Sequence, residues 1–406
     1  LGERAAARSI AITDPDAARD RLARQKEILA LVLGEPTIGG RFSAISPFGL
    51  VPAALLGIDL PRYLERAAEL AADCREAAVE KNPGVALGLA LGVAAQAGRD
   101  KLTLVLAPEI AALGAWLEQL IAESTGKLGQ MILPVDGEPL APPSWYGKDR
   151  LFVVVRYAGR LSDEQEDAVA ALLFAGLPVV ELDCADLASL GAEFFRWEFA
   201  TAVAGALLQL HPFDQPDVEA AKVAARNLTQ TVEETGALPS EAPFYAEHGV
   251  ELFADPDEAA ALFLAADERS LRGLLAAHLD RARPGDYVAL CAFLEMNGEN
   301  VAAATELRNA ISRVTGVATT LGFGPRFLHS TGQAHKGGPA TGLFLQLTDR
   351  PMADVPVPDR RLTFGQVIAA QARGDFEVLS QRGRRALRVH FAMGAEKGLK
   401  RLLAAF

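Results

Sequence analysis

The sequence predicts an α/β protein whose parallel sheets are covered by helices on both faces. Six apolar runs of strand length, at 101–107, 130–135, 150–157, 177–183, 286–294 and 342–348, alternate with helical patterns. Short continuous apolar strands between amphipathic helices are the mark of a sheet buried on both sides. Half of the 406 residues are hydrophobic, enough for two or more cores and too many for one typical domain.

At the start, Ser9 to Ile12 reads as a strand, Asp14-Pro15-Asp16 as a turn, and the residues beyond that turn as a helix. Beginning with Leu1 in mid-pattern, the chain reads as a piece of a longer polypeptide. The segment IGGRFSAISPFGL, 38–50, sets Gly39, Gly40, Arg41 and Ser43 just before an apolar helix. Paired glycines allow close backbone approach of a ligand, and Arg41 brings a permanent cation with several donors. This suits an anionic group or a developing oxyanion. A simple turn is the competing explanation of the Gly-Gly pair.

After the run 101–107, Leu113, Trp116, Leu117, Leu120 and Ile121 keep helical spacing, and Gly126 is a natural stop. Gln119 and Glu123, four apart, share a face away from that stripe. In the last turn, Glu123 meets the negative end of the helix dipole, which raises its proton affinity. A general base near neutral pH needs that shift. The plainer alternative is an exposed glutamate that tolerates a small penalty. The segment LAPPSWYGKD, 140–149, is a Pro-rich connecting loop.

In HPFDQPDVEAAKVAAR, 211–226, Pro216 fits a first helical turn, with Asp217 and Glu219 at its positive end. Gln215 and Lys222, seven apart, project from nearly the same side. Taken alone, Lys222 reads as a solvated helix residue. The polar, Gly/Pro-bearing stretch 233–249 marks a domain boundary, with a further α/β unit beyond it. No internal repeat or low-complexity segment interrupts the pattern.

Composition narrows the function. Fifty-two acidic residues against forty basic ones give a net charge of −12 with no basic block, which argues against nucleic-acid binding. Cys74, Cys184 and Cys291 lie far apart with no CxxC pair, so neither a disulfide framework nor a zinc site is expected. With no spanning apolar run and no signal-peptide pattern, a cytoplasmic protein without membrane contact is expected. The Gly-rich segment 324–348 lacks GxxxxGK[ST] and GxGxxG spacing, and no nucleotide, metal or other cofactor is expected.

Three motifs taken together resemble the phosphoglucose isomerase family. FDQPDVEAAK, 213–222, matches Phe-Asp-Gln-x-Gly-Val-Glu-x-x-Lys except for Asp217 at the glycine; GGRFS, 39–43, matches Gly-Gly-Arg-Tyr/Phe-Ser; QLIAESTGK, 119–127, matches Gln, then Glu four later, then Ser-x-Gly-Lys. They occur in the family's order. With GPRFLHSTGQAHKGGPATGLFLQLT, 324–348, the pattern is similar to the isomerase half of bacterial transaldolase/phosphoglucose isomerase fusions.

The resemblance implies a three-layer sugar-isomerase (flavodoxin-like) parallel sheet with flanking helices: a remnant of a first subdomain over 1–50, a second over 51–232, and a C-terminal α/β domain over 233–406. It implies interconversion of glucose 6-phosphate and fructose 6-phosphate through a cis-enediol without cofactor, in a homodimer with an upstream transaldolase domain. Glu123 would be the base and Arg41 would stabilise the enediolate. Gln119, Gln215, Gly40 and Ser43 would bind substrate, and Lys222 would help ring opening.

Two departures stand out. The family's ring-opening histidine has no counterpart between Glu123 and His211; Asp149 is the nearest group there, and His329 or His335 could supply an imidazole from the C-terminal domain. The family's Ser/Thr-rich phosphate loop, placed before the strand at Ser9, has no equivalent either. The competing functions are a noncatalytic sugar-phosphate-binding module and an oligomerisation module. A sensor needs no base at the sugar carbons, so Glu123, Arg41 and Lys222 together favour catalysis.

Overall fold

A computed structural model describes residues 5–15, 18–26, 28–350 and 353–406. Asp16 of the expected turn lies outside the described residues. The N-terminal unit holds β1 (Ile10–Thr13), α1 (Ala18–Gln25), β2 (Ala30–Leu33) and α2 (Pro47–Leu55). β1 and β2 form a two-stranded parallel sheet, Ile12 opposite Val32. Ser46 caps α2 through its hydroxyl and Pro47 occupies the first turn, so the helix crosses the boundary expected at residue 50.

The second unit comprises α3 (Leu60–Asp73), α4 (Pro83–Gln96), β3 (Lys101–Leu106), α5 (Leu113–Thr125), β4 (Leu133–Val135), β5 (Arg150–Tyr157), α6 (Asp163–Phe174), β6 (Val179–Cys184), α7 (Leu190–Leu207) and α8 (Pro216–Thr235). Its parallel sheet has the order β4-β3-β5-β6. Alternation decides the layers. Leu102, Leu104, Leu106, Val153 and Val155 pack under α4, α5 and α7, whereas Val105 and Val154 pack on Val169 of α6. Close approach of α4 to α7 depends on Gly88, where a Cβ would stand 2.7 Å from the Ala200 carbonyl oxygen.

The third unit comprises β7 (Tyr245–Glu247), β8 (Val250–Phe253), α9 (Pro256–Ala265), α10 (Leu271–Leu279), β9 (Tyr287–Phe293), α11 (Gly298–Thr315), β10 (Ala318–Phe323), α12 (Thr331–Gly337), β11 (Gly342–Asp349), α13 (Phe364–Gln381), β12 (Arg385–Phe391) and α14 (Ala395–Leu403). Its sheet, β10-β9-β11-β12-β8-β7, is parallel through β12, with β8 antiparallel to β12 and β7 antiparallel to β8. One face packs on α10, α11 and α14; the other carries α12 and α13 and also receives Met131, Leu133 and Val135 of the second unit.

The two larger units therefore share a core. A buried polar cluster reinforces the junction: Arg150 donates to Glu138 at 2.6 and 3.2 Å, and Glu138 accepts from the Thr319 backbone at 3.1 Å. α8 starts at the second unit and lies along α13 of the third, so packing continues past the boundary read at 233. The strand expected over 130–135 shrinks to β4 because residues 127–130 form a turn closed by paired backbone hydrogen bonds. All three cysteines are free and buried. No described helix is long and apolar enough to cross a membrane.

Candidate active site

Three sequence-distant segments meet at the C-terminal end of α5. The turn before α2 contributes Arg41, the last turn of α5 contributes Glu123, and the loop into α8 contributes 212–215. Glu123 is only 6% exposed. Its Oε2 accepts from Gln119 Nε2 at 3.4 Å and lies 3.6 Å from Arg41 Nε. Burial pushes its carboxyl above the ordinary value, while Arg41, Gln119, His329 and Lys222 pull it back. The site thus keeps a carboxylate basic without leaving it unpaired.

Arg41 is buried, and its guanidinium is a clamp. Nη1 donates to Ser124 Oγ at 2.6 Å and to the Pro212 carbonyl at 2.7 Å; Nη2 donates to Gln215 Oε1 at 2.7 Å and the Asp214 carbonyl at 3.2 Å. Only a planar fork with five donors can hold α5 and this turn while turning Nε toward Glu123. Lys127, just past α5, completes the clamp. Its buried Nζ donates to the carbonyls of His211 and Asp214, both at 2.6 Å, and to Asp214 Oδ1 at 2.7 Å. Burial lowers its proton affinity and Asp214 opposes that.

The residues expected from sequence divide accordingly. Arg41, Gln119, Glu123 and Gln215 come together through direct contacts. His329 and Lys222 are exposed and act on Glu123 through their charge; Lys222 Nζ also lies 3.8 Å from Glu219. Ser43 bonds its own turn, Oγ to the Gly40 carbonyl at 2.7 Å. At Gly39 and Gly40 a Cβ would meet nothing within 4 Å, so neither glycine is demanded by crowding, and the space beside them is open.

Two candidates lie elsewhere. His335 sits in the core between units, stacked on Tyr287 and with Nδ1 2.9 Å from the Tyr287 hydroxyl; burial holds its pKa well below the ordinary imidazole value. The ring is enclosed by Tyr287 and Phe344 and only 2% exposed. Asp149 stands at the start of β5, 3.8 Å from the buried Lys101. Among the described residues no group of three or more His, Cys, Asp or Glu is arranged to hold a metal ion.

Sequence reasoning passed over Ser124, Lys127 and Asp214. The signal for Lys127 was present, since it ends the Ser-x-Gly-Lys motif; its partners are backbone carbonyls 84 and 87 residues away, which no local pattern reveals.

No protein-family model matches the chain. It is similar to the glucose-6-phosphate isomerase of Rubrobacter xylanophilus, 31% identical over 253 residues, covering 53% of this chain and 59% of that protein. It is also similar to the glucose-6-phosphate isomerase of Acholeplasma laidlawii, 28% identical over 224 residues, covering 46% and 53%. Among solved structures, a glucose-6-phosphate isomerase from Chlamydia trachomatis aligns with a TM-score of 0.46 and 17% identity over 55% of this chain and 53% of that one. The chain spans little more than half the length of these relatives.

Proposed function

We propose that this chain, similar to glucose-6-phosphate isomerases over little more than half of their length, interconverts glucose 6-phosphate and fructose 6-phosphate at the Glu123 cluster. The observation that carries this is a buried carboxylate of raised proton affinity, held by Gln119 and Arg41, with two further cationic or titratable side chains acting on it. In the forward direction the Glu123 carboxylate takes the C2 proton of the open-chain aldose. The C–H electrons form the C1=C2 bond of a cis-enediol as the C1 oxygen gains a proton. Glu123 then returns its proton to C1 while the C2 hydroxyl loses its own and becomes the ketose carbonyl.

Arg41 supports the enediolate through its field, since four of its hydrogen bonds are taken by the protein. His329 is the acid at the ring oxygen and Lys222 helps hold the sugar. The same proposal includes an upstream transaldolase domain in the parent polypeptide, a homodimer and a cytoplasmic setting.

A sugar-phosphate-binding module is the second reading, favoured by the exposure of His329 and Lys222 and by the engagement of Arg41. Fructose 6-phosphate conversion, coupled to a dehydrogenase, separates the two when run on the parent protein and on Glu123→Gln. Catalysis requires turnover that falls by about three orders of magnitude or more, about 4 kcal/mol, with the fold intact. Binding without turnover in the parent would establish the module instead.

A further inference from the structure

The third unit contains a cavity of about 830 Å³, within the size range of small-molecule sites. Its place in the topology is informative. From β9 the chain runs through α11 to β10 on one side, then returns through α12 to β11 on the other side of β9. That reversal makes the gap between β9 and β11 a switch point, where doubly wound sheets bind ligands at the carboxyl ends of their strands. Phe293 ending β9 and Leu294 just after it, Thr348 and Asp349 ending β11, and Gly324 after β10 all line this cavity. The roof is α13, which presents Gly365, Ile368, Ala369 and Ala372 there, so small residues keep open a space that a helix on a sheet ordinarily fills.

The deepest polar groups are not used up by the protein. Arg388 is 5% exposed and its guanidinium lies 4.3 Å from the Phe253 ring centre, yet among the described residues only Nη2 is hydrogen-bonded, to Glu241 at 2.5 Å. Asn300 is 6% exposed; its Nδ2 donates to the Glu295 carbonyl at 2.9 Å and its Oδ1 accepts nothing among the described residues. These open atoms of Arg388 and Asn300 face the cavity rather than being sealed in the core, so a donor set and an acceptor without protein partners border one space and suit a polar occupant. Glu251 and Asp349 add acceptors, and Phe253 and Phe293 add apolar faces. The described residues offer no metal-binding group, and Glu396 is paired with Lys400 at 2.7 Å.

We propose that this cavity is a second small-molecule site, separate from the Glu123 cluster, for a carbohydrate-type polyol. Arg388 donates to hydroxyl oxygens, Asn300, Glu251 and Asp349 accept from hydroxyls, and the Phe253 and Phe293 rings cover the C–H face. The carboxylates around the cavity disfavour a multiply charged anion. This site does not depend on the isomerase reading.

Calorimetry of the full chain with glucitol and glucitol 6-phosphate tests it, joined to crystals soaked with glucitol. The expected result is saturable glucitol binding, with density between Asn300 and Arg388. Ala369→Trp, which fills the cavity, abolishes that binding. Arg388→Met weakens it roughly ten- to hundred-fold while the unfolding temperature shows both variants folded. If Ala369→Trp does not fold, Arg388→Met and the soak decide. Unchanged glucitol affinity in the variants, density only at the Glu123 cluster, or density on soaking without calorimetric binding would each overturn the proposal.

Discussion

Glu123 is pulled two ways, and the balance has a visible pH consequence. As the proposed base it must be ionised, and burial holds its pKa above the ordinary carboxylate value. Turnover should therefore fall as pH drops through that raised pKa, giving an acid limb above the range of a free glutamate. Gln119 donates to the ionised form, so Gln119→Leu should move the limb to still higher pH, read from a kcat–pH profile. No movement would remove Gln119 from that role. Lys127 makes the matching prediction for the clamp. Lys127→Met frees three acceptors of the 211–214 turn, which should cost roughly 2 kcal/mol in denaturant unfolding and raise KM more than it lowers kcat. The motif residues Arg41, Gln119, Glu123 and Gln215 were legible in the sequence because residue type and order carry them. The isolation of His335 was not, since only the packing of Tyr287 and Phe344 encloses that ring.

At the scale of elements, helix α5 ends where the sequence indicated, but Gly126 does more than stop it. Its φ is −79°, a value open to any residue; what demands glycine is α12, whose Ala334 Cα would stand 2.3 Å from an added Cβ. Gly126→Ala should cost about 1 to 3 kcal/mol and reduce turnover, because the strain falls three residues from Glu123. Helix α7 offers a pH test of stability. Burial raises the Glu198 carboxyl from its ordinary value to about 7. Below the unfolded value both states are protonated and nothing is lost. As pH rises toward 7 the unfolded state ionises first, so stability falls and then levels off. Glu198→Gln should remove that slope and stabilise the protein near neutral pH by up to about 3 kcal/mol, measured by unfolding at several pH values. The runs that became β3, β5, β9 and β11 were legible because both of their faces are buried. β10 and β12 were not: Thr319, Thr320 and Gly322 dilute the first, and Arg385, Arg388 and His390 interrupt the second, where a charge such as that of Arg388 is met by Glu241, far along the chain.

Across the whole molecule, the candidate site draws on more than one unit, since His329 of the third acts on Glu123 through its charge while Arg41 arrives from the first. Asp217 shows how the units are kept in register. It replaces the glycine of the related motif, and the structure gives that departure a physical reason. The Asp217 backbone N–H donates to Gln333 Oε1 at 3.0 Å, its Oδ2 accepts from Gln333 Nε2 at 2.6 Å, and Arg382 of the third unit pairs with Oδ1. Gln333 in turn donates to the Gly126 carbonyl at 2.8 Å, joining the start of α8, the end of α5 and the third unit in one network. Asp217→Gly would restore the motif and remove the side-chain tie. It should cost roughly 2 kcal/mol of stability through loss of bonds to a charged group. Because the Gln333 bond to Gly126 and the Arg41 clamp survive, turnover should fall less than in Glu123→Gln. Thermal unfolding and the coupled fructose 6-phosphate assay read the two effects separately. A stability loss with nearly native turnover would identify Asp217 as a unit-to-unit tie, whereas a loss of turnover as deep as that of Glu123→Gln, without destabilisation, would place it in the chemistry.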